Sequence, residues 1–352
     1  MNHELFLVGT YTGKKSHVPD PQGEGIHLCE RILGSGSMII LDTLTGLKNP
    51  SYITQDSRTG LIYAVCETDS GGGGVASLQR KGNTLELLSL RTGLGNAGCH
   101  LSVHQERNEI MTASYGDGRA VGYSLGAQGA EDVAWNVAYA GSGPAGERQA
   151  SAHAHQILPS LHGDKIYVCD LGSDRVWMHD VSRAGAHPQT ALVAPPGTGP
   201  RHLALHPSGD WAFILCELAP HLYVARIRQE DGSMKLLEQH LACEPSQQGI
   251  AAPAAIKIHP SGNTLAISSR FDDSISIFRI RIDSSPMLEL VMRFSSPGRT
   301  PRDISFSHEG LYVAAQDDHR MAFRPFDPPT GWPAGDWSGS MEIGSPSCVL
   351  PL

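Results

Sequence analysis

Arginine, histidine and carboxylate side chains recur in this chain at a fixed offset from a repeated phrase, a recurrence that would gather them at one site. Just after each opening Pro, Gly or His come Ser51 and Tyr52, Cys99 and His100, Ala154 and His155, Arg201 and His202, Ala254 and Ala255, and Arg302 and Asp303, with His153 itself an opener. The phrases close on Glu67, Tyr115, Asp170, Glu217, Arg270 and Gln316. A guanidinium binds carboxylate or phosphate through two parallel N–H donors and can stabilise an oxyanion. An imidazole or carboxylate beside it can move a proton near neutral pH. Such a set suits a small anionic substrate, although 27 Lys and Arg against 36 Asp and Glu leave the chain a formal net charge of −9. That charge, with no dense basic run, argues against nucleic acid or an anionic membrane as the main partner.

The elements that must position these residues follow from the repeat itself. NPSYITQDSRTGLIYAVCE, AGCHLSVHQERNEIMTASY, HAHQILPSLHGDKIYVCD, GPRHLALHPSGDWAFILCE, APAAIKIHPSGNTLAISSR and TPRDISFSHEGLYVAAQ each place an alternating apolar run, a polar or Gly turn and a second apolar run between opener and closing residue. The openers Pro50, Gly98, His153, Pro200, Pro253 and Pro301 are spaced by 48, 55, 47, 53 and 48 residues. Opener and closing residue are 17 apart in five phrases and 15 in the last, 301 to 316. A constant hairpin with variable gaps predicts four short strands per unit, with third strands at Arg119–Leu125, Arg175–Val181, Leu222–Ile227 and Ser274–Ile280.

Units of this length and strand count predict an all-β fold, a seven-bladed β-propeller. The carboxyl-terminal PSCVLPL reads as an opener plus first strand, and LFLVGTY as a second strand. One blade would therefore combine the C-terminal inner strand with N-terminal outer strands from Leu5–Leu41, closing the ring without an exposed edge. The expectation is one propeller domain over residues 1–352, about 50 residues per blade, where length alone would suggest about two domains. The 39 Gly and 23 Pro then belong to turns and openers, and 40% hydrophobic residues suffice for a core.

Several features that look chemical have structural readings. His206-Pro207-Ser208-Gly209 and His259-Pro260-Ser261-Gly262 fall at the hairpin turn on the face opposite the site. Gly93–Gly98 matches G-x-G-x-x-G formally but leads into a strand, not a helix, and Gly71–Gly74 reads as a blade loop. Asp170 and Glu67 read as strand-end turn formers. There is no G-x-S-x-G elbow and no H-E-x-x-H. The seven cysteines are odd in number and lack zinc-site spacing, so they read as reduced core residues, with no metal and no cofactor expected. No run of about 18 apolar residues occurs and MNHELFLVGTYTG lacks a signal-peptide pattern, from which a cytoplasmic location is expected.

With these residues assembled, the chain resembles the seven-bladed β-propeller lactonases, the family of propeller-type 6-phosphogluconolactonases and 3-carboxy-cis,cis-muconate lactonising enzymes. The resemblance spans essentially the whole chain. It is carried by FLVGTYT, NPSYITQD with IYAVCE, CHLSV with SYGDG, HAHQILPS with YVCDLGSDRV, GPRHLALHPSG with CEL, SSRFDDSISIF, and PRDISFS with QDD. It implies catalytic roles for His155, Arg201, Glu217 and Arg270, with His153, His202 and Gln316 as neighbours, and the opening and closing positions of the repeat add His100, Tyr115 and Arg302 as expected substrate contacts. Cys66 and Cys216 stand where Asn often precedes the Glu, and Ser114 and Ser269 occupy similar positions.

The implied activity is hydrolysis of a small anionic lactone in a metal-independent cleft, the arginines polarising the lactone and His155 or Glu217 handling the proton. Three other readings share the architecture. One is a carboxymuconate-type cyclase acting on a carboxylate. Another is a metal-dependent lactonase holding Ca²⁺ on Glu67, Asp170 and Glu217, which the neighbouring arginines disfavour. The last is a non-catalytic interaction platform.

Overall fold

The computed structural model describes residues 3–69, 73–93, 95–183, 187–283 and 287–352. Gly71 and Gly72 of the Gly-rich stretch, and Leu94 of the formal dinucleotide match, lie outside the described residues. Apart from three short 3-10 turns, the regular elements among the described residues are all strands, arranged in seven antiparallel sheets. Strand order follows chain order in the sheets running from Gly98–His104 to Gly129–Ala138, from Ala154–Pro159 to Gln189–Val193, from Pro200–Leu205 to Met234–Leu241, and from Ala252–Ile258 to Leu288–Ser295. The same holds from Ile53–Gln55 to Thr84–Thr92 and from Pro301–Phe306 to Trp332–Pro333, where Gly339–Glu342 also pairs with Arg320–Asp327. In the remaining sheet Pro346–Pro351 lies against His3–Thr10, followed by Gly25–Ile32 and Met38–Thr45. The apolar strand FLV is thus covered on both sides, as the terminal fragments predict.

The chain forms two compact units: Met1–Ile53 with Arg80–Glu86 and Ala242–Leu352, and Thr54–Gln79 with Leu87–Leu241. The core of the second unit lies between successive sheets, with Tyr167, Met178, Leu203, Ile214 and Tyr223 in one cluster and Met111, Trp135, Ile157 and Val168 in another. In the first unit Phe6, Tyr312, Phe323 and Val349 form one cluster and Ile277, Ile304 and Val313 a second. Each such side chain contributes about 1.5–3 kcal/mol by leaving water. The seven cysteines are free thiols, six of them buried.

In five sheets the pairing of the strand that follows the opener slips by one residue at the same place, whereas in the hairpin of Ala252–Ile258 the slip comes later, between Pro253 and Ile256. Ala154 faces Asp170 and Gln156 faces Cys169, so His155 is the extra residue. Pro200 faces Cys216 and His202 faces Leu215, which makes Arg201 the extra residue. Cys99 and Arg302 hold the same position in their hairpins. A bulge of this kind bends the strand and re-aims one side chain out of the pleat. Proline suits the flanking position because it has no N–H to donate to the ladder.

The hairpin turns account for the two remaining regularities. Five residues separate Leu205 from Trp211 and Ile258 from Thr264, but only three separate Phe306 from Gly310, so the last phrase is shorter by its turn. His206 and His259 fold the two HPSG turns identically: Nδ1 of each accepts the backbone N–H of the Ser two residues on, at 3.1 and 3.2 Å. Gly209 and Gly262 follow at φ +80° and +76°, where a side chain would be strained.

His179 makes stability depend on pH. It is 2% exposed, its Nε2 lies 2.6 Å from the Tyr139 hydroxyl, and burial pushes its pKa down from 6.5 to about 4. Between those values the unfolded chain binds a proton that the folded chain refuses. The stabilisation is therefore complete above about pH 6.5 and is lost as pH falls toward 4, by about 3 kcal/mol in all. Urea midpoints at pH 7, 5.5 and 4.5 should fall steeply for the natural protein, and His179→Gln should remove about one proton's worth of that slope.

Candidate functional site

In the second unit the two bulged residues and one strand end meet. Arg201 leaves its bulge toward Glu217, the first residue after the strand Trp211–Cys216, whose backbone N–H donates to Gly199 O at 2.9 Å. Arg201 Nε donates to Glu217 Oε2 at 2.9 Å, with the side chains 3% and 7% exposed. Arg201 Nη1 lies 3.1 Å from His202 Nε2; a guanidinium only donates, so that imidazole nitrogen is the acceptor. The neighbouring rings form a continuous chain. His202 lies 5.6 Å from His100 and 5.3 Å from His155, His155 lies 5.9 Å from Tyr115, and Tyr115 stacks on His153 at 4.3 Å. His153 Nδ1 donates to Tyr115 O at 2.7 Å, which fixes its tautomer at that nitrogen. The structure therefore brings together seven expected residues: His100, Tyr115, His153, His155, Arg201, His202 and Glu217.

An eighth residue was not anticipated. Arg148 Nη2 donates to Glu217 Oε1 at 2.6 Å, and its Nε approaches the Tyr115 hydroxyl at 3.3 Å. Burial works against the charge on Arg148, but Glu217 and Tyr115 outweigh it and raise its pKa. Burial pushes the Tyr115 hydroxyl up, partly offset by Arg148, so it stays protonated. Both Glu217 oxygens are thus occupied, one by each guanidinium. The two ion pairs differ in weight: Arg148 is 51% exposed, so its pair is worth about 1 kcal/mol or less, whereas breaking the buried Arg201 pair costs about 3–5 kcal/mol.

Arg148 sits in the segment 139–153 between the strands Gly129–Ala138 and Ala154–Pro159. The 3-10 turn Gly146–Gln149 is anchored by Gln149, which is fully buried. Gln149 Nε2 donates to Leu171 O and Asp174 Oδ1, both at 2.8 Å, and its Oε1 accepts from Ala145 N at 3.0 Å. Asp174, at φ +53°, also accepts from Gly197 N and Gly199 N, at 2.7 and 2.8 Å. One carboxylate therefore ties the Arg148 turn to the loop that delivers Arg201. The 55-residue opener spacing marks this insert in the sequence; its lack of any repeat partner hides the arginine.

Asp170 is a turn former. Its Oδ1 accepts from the backbone N–H groups of His153, Gly172 and Ser173 at 2.7, 3.0 and 3.2 Å. Its Oδ2 accepts from Trp177 Nε1 at 2.9 Å and from the Ser173 hydroxyl. Gly172 is required there, since a Cβ would lie 1.8 Å from Ser151 O. Glu67 is buried at the end of Ile62–Cys66. Among the described residues, no three His, Cys, Asp or Glu side chains converge as a metal site needs.

The other expected residues lie in the first unit, each with local partners. Arg270 is 7% exposed and donates from Nε to Ala252 O at 3.2 Å. Arg302 stacks over the Tyr11 ring at 5.1 Å, and Gln316 Nε2 donates to Asp317 Oδ1 at 2.8 Å. Near them, Lys257 Nζ donates to the Tyr52 hydroxyl at 3.2 Å and lies 4.0 Å from Asp303 Oδ1. Burial pushes the Tyr52 hydroxyl up to about 12.

Seven antiparallel sheets of this order, one of them built from the two chain ends, define a seven-bladed β-propeller. The chain belongs to the propeller lactonases: residues 5–351 match the family described as "Lactonase, 7-bladed beta-propeller". An uncharacterised protein of Lactococcus lactis subsp. lactis (strain IL1403), YwcC, is 30% identical over 99% of each chain. The 6-phosphogluconolactonase of Bacillus subtilis (strain 168) is 27% identical over 90% of this chain and 89% of its own. Among solved structures, the periplasmic gluconolactonase PpgL of Pseudomonas aeruginosa is similar with a TM-score of 0.89 at 26% identity, over 99% of each chain.

Because all its hydrogen bonds are structural, Asp170→Asn should lower stability by about 3 kcal/mol or more in urea titrations. A variant that keeps its urea midpoint yet loses function would assign Asp170 to chemistry instead.

Proposed function

We propose that this protein hydrolyses a small sugar lactone bearing an anionic group, of the 6-phosphogluconolactone type, and does so without a metal. The observation that carries the reading is the buried Arg201–Glu217 pair set in a chain of imidazoles. It is supported by membership of the lactonase family and by the relatives named for phosphogluconolactone and gluconolactone hydrolysis.

Arg201 is held by Glu217 and cannot be deprotonated at working pH, so it is suited to bind the lactone carbonyl oxygen as negative charge develops there. Glu217, with both oxygens already accepting from guanidinium groups, orients Arg201 in this arrangement. His155, on the adjacent bulge and 5.3 Å from His202 between ring centroids, takes the proton from the attacking water. The water oxygen bonds to the carbonyl carbon, the ring C–O bond breaks, and the leaving oxygen receives the proton from the His155 imidazolium. The product is the open hydroxy acid.

The test is a pH-indicator assay on 6-phosphoglucono-, glucono-, galactono- and muconolactones, with and without EDTA. Turnover indifferent to chelator supports the proposal, abolition by chelator replaces it with a metal-dependent lactonase, and silence on every lactone overturns it. His155→Ala should lower kcat about 10²–10⁴-fold and Arg201→Lys about 10²-fold or more, each measured on protein shown by circular dichroism to be folded at the assay temperature.

A further inference from the structure

The lactonase reading leaves one charged side chain of the site without a task. Arg148 is not needed to hold its own segment in place, because Gln149, the Gly143 N–H to Gln149 O bond at 3.0 Å and the Tyr139 N–H to Gly118 O bond at 2.8 Å already do so. Nor is it needed to keep Glu217 charged, since buried Arg201 is the stronger partner. Among these three side chains, two guanidiniums on one carboxylate carry one positive charge in excess. Arg148 is the more exposed of the two guanidiniums, 51% against 3% for Arg201.

The backbone and side chain of Arg148 are unequally constrained. Its neighbour Gln149 is fully buried and hydrogen-bonded at both ends of its amide, whereas the Arg148 side chain is 51% exposed at the end of a flexible stem. The guanidinium can therefore change partners without moving the chain. We propose that Arg148 selects substrates carrying a phosphate or carboxylate, exchanging Glu217 Oε1 for the anion of the bound lactone. The exchange neutralises the excess charge and releases one oxygen of Glu217 beside Arg201, so that an anionic substrate finds an acceptor there that a neutral lactone does not. The inference rests on the lactonase reading and adds the residue that sets its substrate class.

Steady-state kinetics of the natural protein, Arg148→Gln and Arg148→Lys test it on 6-phosphogluconolactone, a carboxylate-bearing muconolactone and neutral gluconolactone. In Arg148→Gln, the ratio of kcat/KM for the anionic lactone to that for the neutral one should fall tenfold or more, chiefly through KM. Arg148→Lys, which keeps the charge but loses the fork, should recover part of it. A loss confined to the phosphorylated or to the carboxylated substrate supports the proposal and names the anion. A ratio that stays within twofold overturns it, because a merely structural role would affect all three lactones alike. If the natural protein hydrolyses none of them, the lactonase reading fails on its own. Calorimetric binding of 6-phosphogluconate then decides about Arg148: tenfold weaker binding to Arg148→Gln upholds the role, and equal or absent binding to both proteins removes it.

Discussion

At Arg201 the ladder gives two residues of one strand a single partner's worth of space, with Pro200 facing Cys216 and His202 facing Leu215. That two-for-one pairing turns a side chain that a regular pleat would place in alternation into one aimed from the strand's second residue. The same slip occurs at Cys99, His155 and Arg302, so these hairpins present the same re-aimed position and the sequence decides what stands there. Where it is Cys99, the thiol contacts the His155 carbonyl at 3.3 Å; where it is Arg201, a guanidinium meets a carboxylate. The scaffold needs only the bulge, which leaves the chemistry free to vary.

The polar groups around the site divide into those that hold and those that are held. Asp170 and Asp174 each accept from two or more backbone N–H groups of turns as well as from side chains, and Gln149 bonds Asp174 and the carbonyl of Leu171, the residue after Asp170. Their removal would be felt as lost stability, since a buried donor stripped of its acceptor costs about 1–3 kcal/mol. Arg201 and Glu217 face one another on top of that framework, and Arg148 reaches them from a turn that the same framework fixes. A rigid support with one half-exposed cation is the arrangement an adjustable binding site needs.

Much of this was legible in the residues, because repetition turns weak local signals into a register. The distance of 17 between opener and closing residue located both strands of each hairpin, and the strand Ser274–Ile280 begins and ends where the pattern places it. PSCVLPL and LFLVGTY identified each other as partners because each carries half of the repeated phrase. The bulge was not legible, since an extra residue at the opener preserves the count from opener to close. Arg148 was hidden for a different reason: it belongs to an insert with no counterpart in the other repeats, and only the 55-residue spacing betrays that the insert exists. The ion pair of Arg201 with Glu217 could not be read from composition, because many other carboxylates compete for it until the hairpins bring Glu217 alongside.

The pairing of Pro346–Pro351 with His3–Thr10 also sets a timetable. Ser347 Oγ bonds to Gly9 O across 338 residues of chain. At about 5–20 residues per second of synthesis, the strand bearing Phe6, Leu7 and Val8 waits roughly 20–70 s for its neighbour to be made. During that interval one edge of the earliest sheet has its N–H and C=O groups open to any other strand, the condition under which chains pair with the wrong partner. Pairing with Pro346–Pro351 therefore closes an edge that the early strand would otherwise offer to other chains.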